Sequence, residues 1–183
     1  MAIPFLLLSL CAFGAPDVDP VEQQRLLKIA HEAIEREVDG RPAQRFDHGS
    51  AAQAVFVTIE RSGAVIGCRG DLTPRTSSLE EEVATAARSA CAHDPRYRPL
   101  VGSDLKTLMV TVTIVHGQER IESVDGLSPS DGLVLVSNGR SGVVLPWEGK
   151  DPRTRLSWAY RKAGVSRGAS ASLFRLEAER FRG

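Results

Sequence analysis

The chain has 183 residues, enough for one domain that buries a sizeable core without a disulfide or a metal to hold it together. Its 23 basic and 23 acidic side chains balance, so there is no broad electrostatic pull toward nucleic acid or an anionic membrane. Aromatic residues make up only 5% of the chain, too few for base stacking along a single strand, and nucleic acid is not an expected partner.

Met1 to Gly14 carries an apolar run, Pro4 to Phe13, that closes on Ala12-Phe13-Gly14, a small-x-small pattern of the kind cut by signal peptidases. No basic residue precedes the run. It is also far shorter than the roughly twenty residues of a transmembrane helix, so no membrane span is expected. Leu10 before Cys11 is too bulky for a lipoprotein signal. Residues 1–19 therefore read as an N-terminal extension or signal peptide and 20–183 as the domain. A signal would place the protein in the periplasm or outside the cell.

From Val21 to Val38, Leu26, Leu27, Ala30, Ala33, Ile34 and Val38 recur at helical spacing, with Asp19-Pro20 as the entry and Gly40 as the stop. Pro42 to Ser50 is polar and reads as a loop. Val55–Ile59 and Ala64–Cys68, rich in β-branched residues, flank Ser62-Gly63 and predict a hairpin. After the loop Asp71–Ser78, Ser77 or Ser78 caps a helix running to about Ala92, and Glu80, Glu81 and Glu82 complement its positive end. Leu79, Val83, Ala86, Ala87, Ala90 and Cys91 give that helix a face of mostly small residues, suited to close packing on a sheet.

Asp94 to Leu100 is a proline-stiffened connection in which Asp94 and Arg96 either pair structurally or face a ligand. Leu108 to Val115 alternates cleanly and is the clearest strand. Gly132–Val136 and Gly142–Leu145 form a second hairpin about Asn138-Gly139. Arg153–Lys162 is a helix and Ser172–Leu176 a last strand. Irregular alternation with hairpins predicts an α+β fold: a mixed or antiparallel sheet with flanking helices, in two lobes sharing one core.

No GxSxG elbow, Walker loop or HExxH occurs, so those hydrolase, NTPase and zinc-protease templates lack their parts. Gly67-Cys68-Arg69-Gly70 is the most informative segment. Glycines on both sides of Cys68 let backbone or ligand approach closely, and a neighbouring guanidinium could lower the thiol pKa. The alternative is that Cys68 is a small apolar plug and the glycines mark a bulge. Cys68 and Cys91 could pair in an oxidising compartment and would stay reduced in the cytoplasm. His31, His48, His93 and His116 are scattered singly, and no spacing suggests a metal site.

In serial order these segments resemble the AMMECR domain family. Phe56-Val57-Thr58-Ile59 is similar to its FVTL strand, Gly67-Cys68-Arg69-Gly70 to its LRGCIG signature, and Asp94-Pro95-Arg96-Tyr97 with Pro99-Leu100 to its DpRF-x-PL segment. Val110-Thr111-Val112, Leu145-Pro146 and Lys162-Ala163-Gly164-Val165 follow the family's later motifs, so the likeness runs from about Val21 to Phe181. The chain departs from the pattern at two places. Ile66 stands where the family has arginine and Arg69 where it has isoleucine; in a regular strand these positions face opposite sides. Trp147-Glu148 replaces a Gln-Val pair.

The resemblance implies a cytoplasmic α+β domain with a cleft near the cysteine. It also implies association with a Memo-like protein and a radical-SAM protein in a system that modifies some biomolecule. No cofactor follows from it. On that footing the expected function is a binding or accessory module, with Gly67, Arg69, Gly70, Asp94 and Arg96 around a small-molecule ligand. Two alternatives stand beside it: an enzyme using Cys68 as nucleophile, and a protein-interaction domain that presents the Trp147 and Trp158 region while Cys68 is buried.

Overall fold

The computed structural model describes residues 18–46 and 49–183; the N-terminal run up to Gly14, Cys11 and His48 lie outside them. Helix α1 (Pro20–Val38) begins where the Asp19 carboxylate accepts the N–H groups of Val21 and Glu22 at 2.9 and 3.1 Å, with Pro20 in the first turn. It ends at Asp39, and Gly40 turns the chain away in the left-handed region at φ +65°. Its buried stripe, Leu26, Leu27, Ile29, Ala30, Ala33 and Ile34, is the one the spacing predicts, with Ile29 added and Val38 only partly buried.

Strands β1 (Ala54–Arg61), β2 (Ala64–Gly70), β3 (Leu108–Ile121), β4 (Gly132–Ser137), β5 (Arg140–Val144) and β6 (Ser172–Arg182) form one sheet in the order β2-β1-β3-β6-β4-β5, with every pairing antiparallel. Strands β3 and β6 run well past the predicted ends because they pair with each other from Thr111–Arg182 to Ile121–Leu173. The polar half of β3 hides this length, since Gln118, Glu119 and Arg120 carry no alternating apolar signal.

Helix α2 (Leu79–Ala92) and α1 cover one face of β1, β2 and β3 through Val55, Val57, Ile59, Val110, Val112 and Ile114. Helix α3 (Pro152–Ala163) covers the same face of β4 and β5 through Leu133, Leu135 and Val144. The two lobes are thus two helix-covered halves of one sheet. A short 3₁₀ helix, Gly102–Thr107, which the sequence pattern missed, leads into β3. On the opposite face a smaller cluster gathers Phe56, Val115, Val134, Leu145 and Leu176. The sheet curls toward this second face, so its two edge strands, β2 and β5, line one cleft from opposite sides.

Acidic residues of α2 do more than complement the helix end. Glu80 is buried, pairs with Arg25 of α1 and accepts the Ser50 N–H, while Glu82 accepts the N–H groups of Arg75 and Thr76. They fix the loops on either side of α2. Among the described residues no helix is long and apolar enough to cross a membrane.

Candidate functional site

Cys68 lies on edge strand β2, opposite Thr58 of β1. The register slips between Ile59 and Glu60: Ile59 faces Gly67 and Glu60 faces Val65, leaving Ile66 as the extra residue of a bulge. Ile66 packs on the helix-side core, and Arg69, partner of Val57, points to that face as well. The expectation that positions 66 and 69 face opposite sides is corrected by this bulge. Gly67 has a plain steric reason, because a Cβ there would overlap the carbonyl oxygen of Ala90 in α2.

Backbone groups of an edge strand need partners, and at Cys68 two side chains supply them. Asp94 Oδ2 accepts the Cys68 N–H at 2.9 Å and Arg96 donates to the Cys68 carbonyl at 2.9 Å. Asp94 and Arg96 are also bonded to each other at 2.7 Å. Asp94 is buried, so burial opposes its charge, but the bonds from Arg96 and the Cys68 N–H hold its carboxyl below the usual range. The half-exposed Arg96 guanidinium stacks over Tyr97 at 5.4 Å and faces the cleft.

The cleft holds about 700 Å³. Cys68, Arg69, Gly70 and Arg96 form one wall, Ser141 and Val143 of β5 the other, and Arg161 and Lys162 at the end of α3 close it. Arg96, Arg161 and Lys162 face it and Arg69 borders its rim from the helix side. Among the described residues its one lining carboxylate is Glu148, which Lys162 engages at 2.6 Å, while Arg96 is paired with Asp94. Arg69 and Arg161 are exposed and pair with no carboxylate among the described residues.

The cysteine is not activated by these charges. Burial pushes the Cys68 thiol up, and Glu148 adds to the shift; the Thr58 hydroxyl, 3.1 Å from Sγ, and the more distant Lys162 and Arg96 only partly offset it. The lowering expected from a neighbouring guanidinium is present but outweighed by burial, since Arg96 spends its bonds on Asp94 and on backbone. Among the described residues no histidine lines the cleft. Cys91 is buried in the helix-side core while Cys68 belongs to the opposite face, and both are free, so the sheet itself keeps the two from pairing.

Beyond Glu148 the loop after β5 shapes a second chamber of about 260 Å³. Glu148 holds that loop by accepting the Leu145 N–H at 3.0 Å, and Trp147 donates its N–H to the Pro129 carbonyl at 2.8 Å. Trp147 sits at φ +65°, a conformation that costs a bulky residue about 1–3 kcal/mol, and the residue is 55% exposed. The loop bonds hold an indole at the chamber against that cost.

A sequence profile of the AMMECR1 family matches residues 27–183. The chain belongs to the AMMECR1 family. A protein of Aeropyrum pernix is 32% identical over 166 residues, which is 81% of this chain and 71% of that one. A Thermotoga maritima protein is 30% identical over 132 residues, covering 69% of this chain and 76% of its own. The crystal structure of the uncharacterized protein PH0010 from Pyrococcus horikoshii superposes with a TM-score of 0.79 at 25% identity, across 90% of this chain and 93% of that chain.

In this AMMECR1 fold Cys68, Gly70 and Arg96 line one cleft, and Arg69 borders its rim from the helix side. Asp94 stands behind that wall as the anchor of Arg96, so it is both partner and support, and Gly67 faces α2 rather than the cleft. The sequence reading missed Arg161, Lys162 and Glu148. Only the curl of the sheet, which carries β5 and α3 across to β2, brings them to the cysteine.

Proposed function

We propose that this AMMECR1 chain is a binding module whose cleft takes an anionic small molecule, or an anionic group on a larger one. It would serve as an accessory component of a biomolecule-modification system with Memo-like and radical-SAM partners. The partner assignment is supported by family resemblance alone. The binding assignment is supported by one observation: Arg96, Arg161 and Lys162 converge on a cleft that Arg69 borders at its rim, with Glu148 as its one lining carboxylate among the described residues and Arg161 left without an acidic partner there. Concave sites with convergent cations concentrate anions and desolvate them in part. A protonated, partly buried Cys68 supports a wall of the site rather than a nucleophile.

Titration with inorganic phosphate, followed by backbone amide NMR, tests this reading. Shifts centred on Cys68 to Gly70 and on Arg161 to Lys162, lost in Arg161→Glu, are expected. Absence of shifts at those amides, or shifts that survive Arg161→Glu and Arg69→Glu together, would remove it.

A further inference from the structure

We propose that the chamber beyond Glu148 is the second half of the ligand site and that the ligand is a phosphorylated polyhydroxylated compound of the sugar phosphate class. Its phosphate lies in the basic cleft and its hydroxyl-bearing half in the chamber. This deepens the anion-binding reading above and rests on it. The two spaces are continuous, since Val65, Leu145 and Glu148 line both.

The chamber wall is the concave face of β1 and β3, and its composition is unlike the face behind it. Helix-side positions are Val57, Ile59, Val110 and Val112; on the chamber side the same strands carry Thr58, Glu60, Thr111 and Thr113. Thr111 and Thr113 are 4% and 2% exposed, depths at which valine of the same shape would pack without a hydroxyl to satisfy. Thr111 Oγ1 has no hydrogen-bond partner among the described residues. A buried hydroxyl left unpaired at a cavity wall marks a place where a ligand group completes the bonding.

The remaining groups narrow the chemistry. Glu60 makes no ion pair among the described residues and supplies an acceptor, while Arg180, bonded at 3.3 Å to the Pro146 carbonyl, supplies donors. Their charges cancel, and Glu148 at the boundary is neutralised by Lys162, so this half of the ligand is neutral and presents donors and acceptors together, as hydroxyl groups do. Trp147 and Trp158, the two tryptophans of the chain, also line the chamber and offer indole surface to the C–H side of a sugar ring.

That placement makes intrinsic fluorescence a direct readout of the chamber, while amide shifts in β2 read the cleft. Inorganic phosphate, free glucose, glucose 6-phosphate, ribose 5-phosphate and adenosine 5′-monophosphate are titrated into the full chain. Phosphate is expected to shift the β2 amides and leave tryptophan emission unchanged. At least one sugar phosphate is expected to bind about tenfold tighter than phosphate and to change the emission. Thr111→Val, which keeps the side-chain shape, and Glu60→Gln should each erase most of that gain without altering phosphate affinity.

Sugar phosphates that bind no tighter than phosphate, or that leave the emission untouched, would overturn the proposal while the anion-binding cleft stands. Failure of every anion, phosphate included, would remove the cleft reading and this one with it. Adenosine monophosphate binding tightest and indifferent to Thr111→Val would overturn it in favour of a base in the chamber.

Discussion

Asp94 holds Cys68 by its backbone: the carboxylate accepts the Cys68 N–H at 2.9 Å while the thiol turns to Thr58 on the far side of the strand. With Arg96 on the Cys68 carbonyl, the pair stands where a neighbouring strand would. A sheet edge that would otherwise offer free backbone groups beside the cleft is closed at this residue.

Arg96→Ala should cost more than Asp94→Ala, because it leaves the buried Asp94 carboxylate without its charged partner; Asp94→Ala removes the grip itself. It strands a backbone N–H and a guanidinium at once, worth about 1–3 kcal/mol. Loss of Arg96 should cost about 3 kcal/mol, the scale of an uncompensated buried charge. Urea midpoints, with unchanged slopes, would report the order. The reverse order would mean that the backbone grip outweighs the stranded charge.

Alkylation of Cys68 should be slow at neutral pH and accelerate only above the ordinary thiol value of 9.0, because burial favours the neutral form. The measurement uses Cys11→Ser with Cys91→Ala so that one thiol reports. Thr58→Val removes a bond that favours the thiolate and should push the profile higher still. A fast rate well below pH 9.0 would return Cys68 to the role of nucleophile.

Elements built on local pattern were legible in the chain: the stripe of α1, the small-residue face of α2, and the Asn138-Gly139 turn each carry their own signal. The grouping of Cys68, Arg69 and Arg96 was legible too, because one hairpin and one short connection hold it. What escaped depends on long-range geometry. The bulge at Ile66 needs the register of β1 against β2, and Arg161 reaches the cleft only because the sheet curls. Burial of Glu80 and Glu82 was equally hidden, since their partners are backbone groups and an arginine far away in sequence.

Stability should fall as pH drops below about 4, the region of the ordinary carboxyl values 3.8 and 4.5. Glu80, Asp94 and Asp104 are all held below those values, by Arg25 and Ser50, by Arg96 and Cys68, and by Arg98 and Val101. A depressed folded-state pKa gives stability that is present above the unfolded value and lost as pH falls through the folded one. Urea midpoints from pH 7 to 2 test this, and Asp94→Asn should show a shallower decline. An equal decline in the variant would assign the acid sensitivity elsewhere.

At the alkaline end the sign reverses for the Cys91 thiol, pushed up to about 11 chiefly by burial and further by Glu37. The unfolded thiol ionises first, so stability is intact below 9.0 and is lost between there and about 11. The loss attributable to this group is about 3 kcal/mol, at roughly 1.4 kcal/mol for each tenfold change in its ionisation constant. Comparing wild type with Cys91→Ala across that window isolates it from lysine and tyrosine titration. Parallel curves would refute the assignment.

Gly67→Ala probes the contact between the cysteine strand and α2. A single methyl group would overlap the Ala90 carbonyl oxygen, which is backbone inside a helix and has little freedom to yield. Either α2 lifts from β2 or β2 bends toward the cleft, and overpacking of this kind costs about 1–3 kcal/mol. Gly63→Ala is the comparison: it has open space around it, so its penalty comes only from its φ of +78°. If α2 lifts, alkylation of buried Cys91 should speed up with Cys68 unchanged; if β2 bends, the Asp94 and Arg96 grip breaks and Cys68 becomes the faster thiol. Neither thiol changing, with a wild-type urea midpoint, would mean that the close packing at Gly67 is not required.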